Sequence, residues 1–184
     1  APERWSKSAA RFDRKKLDWL NGQHIRSLDA TELQSRLVAI LTGAGLDTSQ
    51  KDDAWFASLT EICQEKLSTL NQIVELSDFF FRDVGEYEAK PAKKHWQNEE
   101  AATLMTQLIA CMEGVDEWNR DVLKTAYQGL GEEIEVGLGK LVHPTRLALT
   151  GKSVGPGLFE LAELLGKKEC LLRMGRGLDY VNAL

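Results

Sequence analysis

Apolar residues recur at intervals of three and four along almost the whole chain, and this helical period constrains the fold more than any other feature. The clearest case follows Asp29, where Leu33, Leu37 and Leu41 share one face of a predicted helix that stops at Gly43. No pair of segments alternates apolar and polar residues in the way that paired strands do. The sequence therefore predicts an all-α protein.

The helical pattern lapses from Asp83 to Gln97, and this gap divides the chain. The segment VGEYEAKPAKKHW within it combines a glycine, a proline and mixed charges without an apolar period, which is typical of a linker. Just before it, Phe79–Phe81 marks a helix end, because three adjacent aromatic residues cannot share one helical face. We therefore predict two helical bundles in series, formed by residues 1–82 and residues 83–184.

Within these bundles, polar residues that favour the N-cap position predict where helices begin. Asp53, Asn98 and Asp116 are the expected helix starts. The helix that begins at Asp116 is expected to end at Gly129, since glycine often terminates a helix. Further helices are predicted over residues 130–141, 158–165 and 167–181.

The charge of the chain is acidic on average and unevenly distributed. The net charge is −5, yet residues 1–27 carry +4, residues 99–139 carry −7 and residues 140–184 carry +3. A fold that brings both basic ends to one face would present a cationic surface suited to nucleic acid. Ordinary variation along the surface is the alternative explanation.

Several classes of function are excluded by what the sequence lacks. Cys63, Cys111 and Cys170 are far apart and form no C-x-x-C pair, which is typical of reduced, buried thiols in the cytosol. There is no phosphate-binding glycine loop, paired-histidine metal motif or nucleophile elbow. No segment reaches the ~18 apolar residues that a membrane helix needs. The residues alone predict a cytoplasmic interaction module without a catalytic or metal site.

Two segments resemble a known family. They are FDRKKLDWLNG over residues 12–22 and VHPTRLALTGKSVGPGLFELAELLGK over residues 142–167. Together they resemble the C-terminal, anticodon-binding half of the bacterial glutamyl-tRNA synthetases, and the resemblance covers essentially the whole chain. It implies a class I synthetase stem-contact domain followed by an α-helical anticodon-binding domain. The family's catalytic nucleotide-binding fold has no counterpart among these residues.

This resemblance implies a function and excludes a cofactor. The chain is expected to be a monomer that reads the anticodon arm of glutamate tRNA and binds neither DNA nor a membrane. ATP and magnesium would serve the parent enzyme, which joins glutamate to its tRNA, whereas these residues alone would need no cofactor and be inactive. The alternative is a helical protein-interaction domain that kept the fold but not the RNA site.

The first residues assigned to tRNA are Lys16 and Trp19, which lie one turn apart on a predicted helix and share a face. The resemblance places them at the anticodon side of the first domain, where lysine suits a phosphate and an indole can stack on a base. The alternative places Trp19 in the core and leaves Lys16 solvated. Asn21 is expected to cap the end of this helix.

A second set surrounds the longer motif. The resemblance assigns Arg146 to an anticodon base, with a structural ion pair as the alternative. Gly155, Pro156, Leu158 and Phe159 open a helix whose free N–H groups suit base edges or phosphates. Many relatives carry a hydroxyl residue at the position of Gly155. Of the adjacent Leu158 and Phe159, one is expected to face the core and the other to meet RNA.

Two further positions concern specificity. Gln128 stands where some relatives carry arginine, so that a neutral donor replaces a charge. Lys66 stands where relatives that accept only glutamate tRNA often carry arginine. The resemblance therefore implies that Lys66 contacts the third anticodon base, while a simple surface lysine is the alternative.

Overall fold

The computed structural model of the protein describes residues 13–184, which contain α-helices and no β-strand. The helices of the N-terminal half are α1 (Arg14–Ser27), α2 (Ala30–Gly43), α3 (Asp53–Gln64) and α4 (Gln72–Ser77), before a 3₁₀ turn over Asp78–Phe80. The helices of the C-terminal half are α5 (Ala89–Trp96), α6 (Ala101–Glu113), α7 (Arg120–Glu133), α8 (Leu138–Thr150), α9 (Leu158–Leu165) and α10 (Lys167–Asn182). The all-α prediction is confirmed. The basic residues Arg4, Lys7 and Arg11, and Phe12 of the first motif, lie outside the described residues.

Helix α2 forms as its sequence predicts. The Asp29 carboxylate accepts hydrogen bonds from the backbone N–H groups of Thr31 and Glu32 at 2.9 and 3.1 Å, which satisfies two donors of the first turn. Leu33, Leu37 and Leu41 face inward and are at most 2% exposed. Capping and apolar period thus agree on one helix and one buried face.

All three predicted helix starts are displaced along the chain. Helix α6 begins after Glu100 rather than at Asn98. Asp52, not Asp53, caps α3 by accepting from the Trp55 backbone N–H at 2.8 Å. Asn119, not Asp116, caps α7 by accepting from the backbone N–H groups of Asp121 and Val122 at 3.1 and 2.9 Å. For α3 and α7 a neighbouring polar residue offers the same chemistry, and the geometry of the first turn selects between them.

The predicted end of α7 is wrong, because the helix continues through Gly129 and Gly131 to Glu133. A Cβ atom on the buried Gly131 would lie 2.9 Å from the carbonyl oxygen of Val136, so glycine there lets the connection to α8 pass close to α7. The short helix predicted over 130–141 does not form, since α8 begins after Gly137. Gly131 therefore serves close packing rather than helix termination.

The predicted linker over residues 83–97 is wrong for residues 89–96, which form α5. Ala92 and Trp96 are buried, and the Trp96 ring packs against Tyr87 and Tyr180 with centroids 4.7 and 5.7 Å apart. Pro91 lies in the first turn of α5, where the missing N–H has no intrahelical partner to lose. One alanine and one tryptophan anchor this helix, which is too few apolar residues to produce a period.

The two halves contact each other through α3 and α9. The indole Nε1–H of Trp55 donates to the carbonyl oxygen of Leu164 at 3.3 Å, and the Trp55 ring packs edge-on against Phe80 and Phe81. Lys152 Nζ donates to Asp78 Oδ1 at 2.7 Å and adds an ion pair between the halves. The division at residues 82 and 83 stays a prediction. None of the described helices is long and apolar enough to cross a membrane.

Candidate nucleic-acid interface

The turn between α8 and α9 is held in place by Arg146. Its Nη1 donates a hydrogen bond to the carbonyl oxygen of Pro156 at 2.6 Å. A Cβ atom on Gly155 would lie 3.3 Å from the same nitrogen, so the backbone passes directly beside the guanidinium. Burial lowers the pKa of Arg146, while the neighbouring Glu160 carboxylate raises it. An arginine remains charged under both influences.

The predicted alternative for Arg146, a structural ion pair, is not what holds it. No carboxylate of the described residues lies within 4.0 Å of its guanidinium, and its hydrogen bond goes to a backbone carbonyl. The other guanidinium nitrogens have no hydrogen-bond partner in the described part of the chain. They are therefore available to a planar acceptor pair on a base or a phosphate.

The local sequence explains why α9 begins where it does. Gly151 ends α8 in the left-handed region at φ 73°, a conformation that glycine adopts at no steric cost. Gly157 precedes α9, and the first intrahelical bond runs from the Leu161 N–H to the Gly157 carbonyl at 3.0 Å. The N–H groups of residues 158–160 consequently have no acceptor within the helix, as at any helix start. The predicted boundaries of α9 are confirmed.

Leu158 and Phe159 differ in burial, and the expectation that one of them faces the core is confirmed. Leu158 is 4% exposed and belongs to the core, whereas Phe159 is half-buried. The Phe159 ring packs edge-on against Tyr127 with centroids 5.3 Å apart. Pro156 is buried, so its ring shapes the turn while its carbonyl oxygen holds Arg146. Phe159 is the side chain of this turn that keeps an exposed aromatic surface.

Tyr127 and Thr145 are buried side chains that support the α8–α9 turn. Neither residue was identified from the sequence as part of the site. The Tyr127 hydroxyl lies 3.1 Å from Thr145 Oγ1, and Thr145 Oγ1 donates to the Leu141 carbonyl at 2.8 Å. Burial strongly raises the pKa of Tyr127, which therefore stays a neutral phenol. Tyr127 lies one turn after Leu123, a spacing that is typical of a core position. No sequence pattern indicates that Tyr127 pairs with Thr145 of another helix.

Gln128 lies on the exposed surface of α7, beside Tyr127. It lines a cavity of about 260 Å³ together with the carboxylates Glu132 and Glu135. A neutral amide in this acidic surrounding can donate a hydrogen bond to a base without adding a charge. The contact from Tyr127 to Phe159 links this cavity to the turn before α9.

Lys16 and Trp19 lie exposed on α1, and 59% of the Trp19 residue is accessible to solvent. The alternative that placed Trp19 in the core is therefore wrong. Asn21 does not cap α1, because the helix continues to Ser27. Its side-chain amide instead donates to the Ser68 carbonyl oxygen and attaches α1 to the turn after α3.

Lys66 lies exposed in that same turn, with its backbone N–H donating to the Cys63 carbonyl at 2.8 Å. The Gln64 side chain bonds the backbone carbonyls of Ile25 and Arg26 at 3.4 and 3.3 Å, so the turn is fixed against the end of α1. Lys66, Lys16 and Trp19 consequently belong to α1 and the turn that packs against it. No hydrogen bond or ion pair of the described residues joins them to Arg146 and Phe159.

The basic excess of the C-terminal segment is largely used within the protein. Between Lys140 and Leu184 there are seven bases, and besides Arg146, which bonds to Pro156, four of them bond to other parts of the chain. These four are Lys152, Lys167, Arg173 and Arg176. The segment therefore offers fewer cations to a ligand than its net charge suggests.

Comparison with known proteins gives the family context of this surface. The sequence model of the family described as "Anticodon binding domain" matches residues 29–178. Glutamate–tRNA ligase 2 of Thermoanaerobacter pseudethanolicus is 31% identical over 182 residues, which are 99% of this chain and 38% of that protein. The glutamate–tRNA ligase of Moorella thermoacetica is 34% identical over 97% of this chain and 37% of its own length. The chain thus spans little more than a third of these relatives.

The fold is also similar to solved structures. A crystal structure of a glutamate tRNA ligase from Elizabethkingia meningosepticum, in complex with its amino acid, superimposes with a TM-score of 0.82 at 25% identity. The match covers 95% of this chain and 34% of that protein. The glutamate–tRNA synthetase of Elizabethkingia anophelis matches with a TM-score of 0.77. The helical arrangement is therefore that of a segment of these ligases.

Proposed function

The chain belongs to the anticodon binding domain family, and from this membership we propose that it recognises the anticodon arm of glutamate tRNA. Membership in the family implies tRNA binding. The choice of glutamate tRNA is supported by the names of the similar ligases, which align over nearly the whole chain. The aminoacylation that such ligases perform with ATP and magnesium belongs, in this proposal, to the full-length enzymes. These 184 residues act as a cytoplasmic, monomeric RNA-binding module without a cofactor.

The contact between Arg146 and the Pro156 carbonyl is the observation that supports this function best. It fixes a charged guanidinium at the N-terminus of α9, next to the partly exposed ring of Phe159. A helix N-terminus offers free N–H donors, arginine offers a planar fork and phenylalanine offers a stacking face. These three elements together suit an unpaired, splayed base of an anticodon loop.

The surface of α1 and the turn after α3 supplies a second set of contacts. Lys16 and Lys66 are exposed ammonium groups, and Trp19 is an exposed indole on the same helix as Lys16. In the proposal Lys16 binds a phosphate, Trp19 stacks on a nucleotide and Lys66 meets the third anticodon base. Gln128 contributes a neutral donor near the turn before α9.

A titration with matched RNAs tests the proposal. The chain is titrated with glutamate tRNA, with the same tRNA carrying an altered anticodon, and with a DNA hairpin of equal length. Each mismatched base is expected to cost about 1–3 kcal/mol, so the altered anticodon should bind roughly ten- to a hundredfold more weakly. Equal affinity for all three nucleic acids would contradict anticodon recognition. A parallel pyrophosphate exchange assay with glutamate, ATP and tRNA should give no turnover above the protein-free control.

A further inference from the structure

A second cavity lies between the two halves of the protein, away from the α8–α9 turn. Its volume is about 470 Å³, and it is bounded by Lys51, by the end of the 3₁₀ turn and the residues that follow it, by the end of α9 and by α10. Since α9 has eight residues, the cavity lies about 12 Å along that helix from the turn held by Arg146. Cavities of about 300–1,000 Å³ accommodate small organic ligands.

Arg173 forms the floor of this cavity and is rigidly held. Its side chain is only 5% exposed, with Nε donating to Glu169 Oε1 at 2.6 Å and Nη1 donating to the Leu149 carbonyl at 2.7 Å. The third nitrogen, Nη2, has no partner among the described residues. Nη2 does not belong to the fully buried polar atoms that lack a partner in the described part of the chain. Because it has no partner, it must retain access to solvent. The cavity that Arg173 lines provides that access.

Two more cations line the cavity beside two partnered carboxylates. Lys51 is fixed with Nζ 4.7 Å above the centre of the Trp55 ring, and Arg82 lies at the cavity wall. Both lining carboxylates are paired. Glu169 is bound to Arg173, and Asp83 lies 3.4 Å from Arg176, which does not line the cavity. The three lining cations therefore exceed the lining carboxylates by one, which favours an anion.

The remaining wall is apolar and comes from both halves. Phe80 and Phe81 lie on one side, and Leu164 and Leu165 lie on the other. Phe81 is only half-buried and keeps part of its ring accessible. A cationic floor beside an apolar wall suits a ligand with an anionic group and a flat, weakly polar body.

We propose that this cavity binds a nucleotide, with its phosphate on Arg173 and Lys51 and its base against the wall formed by Phe81 and Leu165. A phosphate matches the open edge of a fixed guanidinium, and a base contributes a π-face to the aromatic side. Such a ligand would contact both halves at once. The nucleotide is either free or part of a single-stranded RNA, and the phosphate and base are common to both sources.

Nitrogen-15 NMR of the whole chain can test the site, because Arg173 lines the cavity and Trp55 bonds to Leu164 of its wall. The Arg173 Nε–H and the Trp55 indole N–H, which bonds to Leu164, should shift on titration with CMP or AMP. The Trp118 indole N–H, which bonds to Ala162 at 2.9 Å, serves as an internal reference that should not shift. Inorganic phosphate should bind at least threefold more weakly than CMP, and cytidine should not bind measurably.

Variants separate this site from general charge effects. Lys51→Gln should weaken CMP binding at least threefold, whereas Lys168→Gln, an exposed lysine on α10 that does not line the cavity, should leave it unchanged. Arg146→Gln should also leave it unchanged, so the failure of this site and the failure of anticodon recognition are distinguishable. If CMP saturates the same signals and a trinucleotide binds no more tightly than CMP, the ligand is a free nucleotide. If a trinucleotide binds at least tenfold more tightly than CMP, the ligand is part of an RNA. No shift with CMP, AMP or the trinucleotide, equal affinities of CMP and phosphate, or equal effects of the two lysine variants would overturn the proposal.

Discussion

Arg146 connects α8 to the start of α9 through one hydrogen bond, from Nη1 to the Pro156 carbonyl oxygen at 2.6 Å. A lysine retains the charge but has no planar fork with which to hold the turn and a base at the same time. We expect both Arg146→Lys and Arg146→Gln to weaken binding of glutamate tRNA. Loss of a hydrogen bond that involves a charged group costs about 1.5–3 kcal/mol, which is roughly ten- to a hundredfold in the dissociation constant. Filter binding measures the effect.

The exposed Arg120 offers a matched control for that experiment. It lies 3.7 Å from Glu61 on the surface and away from the α8–α9 turn. Arg120→Gln removes the same charge and should change tRNA affinity far less than Arg146→Gln. Equal losses in the two variants would mean that Arg146 contributes only to the net charge.

Lys66 is expected to distinguish the cytosine of the glutamate anticodon from the guanine of the glutamine anticodon. An ammonium group can donate to cytosine O2 and N3, but it cannot satisfy the N1–H and N2–H₂ donors of guanine. The preference should fall in the lower part of about 1–3 kcal/mol, because lysine lacks a fixed geometry. Lys66→Arg should increase the ratio of the two tRNA affinities, and Lys66→Gln should decrease it.

That ratio is obtained by titrating each variant with both tRNAs at one salt concentration. Lys168→Gln removes an exposed lysine of α10 and should leave the ratio as in the unmodified chain. An unchanged ratio in Lys66→Gln would show that Lys66 is only a surface lysine.

The three cysteines should differ sharply in reactivity. Burial raises the pKa of Cys63 and of Cys170 from 9.0 to about 12. Burial and the Glu133 carboxylate also raise the pKa of Cys111, which is only half-buried. Because the thiolate is the reactive form, a disulfide reagent at pH 8 should modify Cys111 first and reach the other two only after unfolding. Mass spectrometry of peptides resolves the three sites.

The same pKa shifts predict how stability depends on pH. Between about pH 9 and about pH 12 the folded protein retains protons on Cys63 and Cys170 that the unfolded chain has lost. The free energy of unfolding should therefore decrease as the pH rises through this range. A Cys63→Ala variant should show a shallower decrease in urea titrations, and an unaltered slope would contradict the assignment.

At the scale of elements, α1 is attached to the rest of the chain by a small number of polar contacts. The Asn21 amide bonds the Ser68 carbonyl, and a Cβ atom on Gly22 would lie 3.3 Å from the Leu67 carbonyl. Asn21→Ala should cost about 1 kcal/mol, since it removes one hydrogen bond and leaves a half-buried carbonyl unpaired. We expect faster amide hydrogen exchange throughout α1, with little change in α6 or α8. Gln23→Ala, on the exposed face of α1, should leave exchange unaltered.

Sequence patterns predicted the helices whose signals are local and missed those that depend on partners. Helix α2 has a cap and an apolar face of its own, and α9 has a glycine–proline–glycine start. Helix α5 is fixed by the contacts of Trp96 with Tyr87 and Tyr180, and Tyr180 lies more than 80 residues away in the chain. The run of α7 through Gly131 depends on its close approach to Val136. Tertiary contacts of this kind leave no periodic signal.

The candidate site shows the same limit. The motif around Arg146 and Phe159 is contiguous with the turn that it builds, so its residues were identified together. Tyr127 and Thr145, which support that turn, come from different helices and carry no motif. The attachment of Asn21 to Ser68 likewise joins residues 47 positions apart. The roles of the candidate residues in tRNA binding stay predictions.

At the scale of the whole molecule, the distribution of free cations limits how strongly RNA binding depends on salt. Besides Arg146, four C-terminal bases are bound within the protein, which leaves a modest set for phosphates. With roughly three to four phosphate contacts, the logarithm of the affinity should fall against the logarithm of salt with a slope of about −2 to −4. A titration of glutamate tRNA over a fourfold range of salt measures the slope. A flat response would contradict phosphate contacts altogether.

The contact between the two halves decides whether they unfold as one unit, and two tryptophans provide a matched comparison. Trp55 donates to the Leu164 carbonyl at 3.3 Å across the junction, whereas Trp118 donates to the Ala162 carbonyl at 2.9 Å within the C-terminal half. Each indole thus binds the same helix, α9, from a different side of the predicted boundary. Replacing a packed tryptophan by alanine costs about 3–5 kcal/mol.

Trp55→Ala should separate the unfolding of the two halves, because it removes a contact that stabilises both. The N-terminal half is the smaller, and a short helical domain buries less of its surface, so its residues should unfold at lower urea than α6 and α10. Trp118→Ala should lower the stability of the C-terminal half but retain the contact that Trp55 makes between the halves. The two halves should therefore unfold closer together in this variant than in Trp55→Ala. NMR signals of α2 and α6 followed through urea titrations distinguish the two results. If α2 and α6 still unfold together in Trp55→Ala, the chain is one cooperative unit and a domain boundary at residues 82 and 83 is excluded.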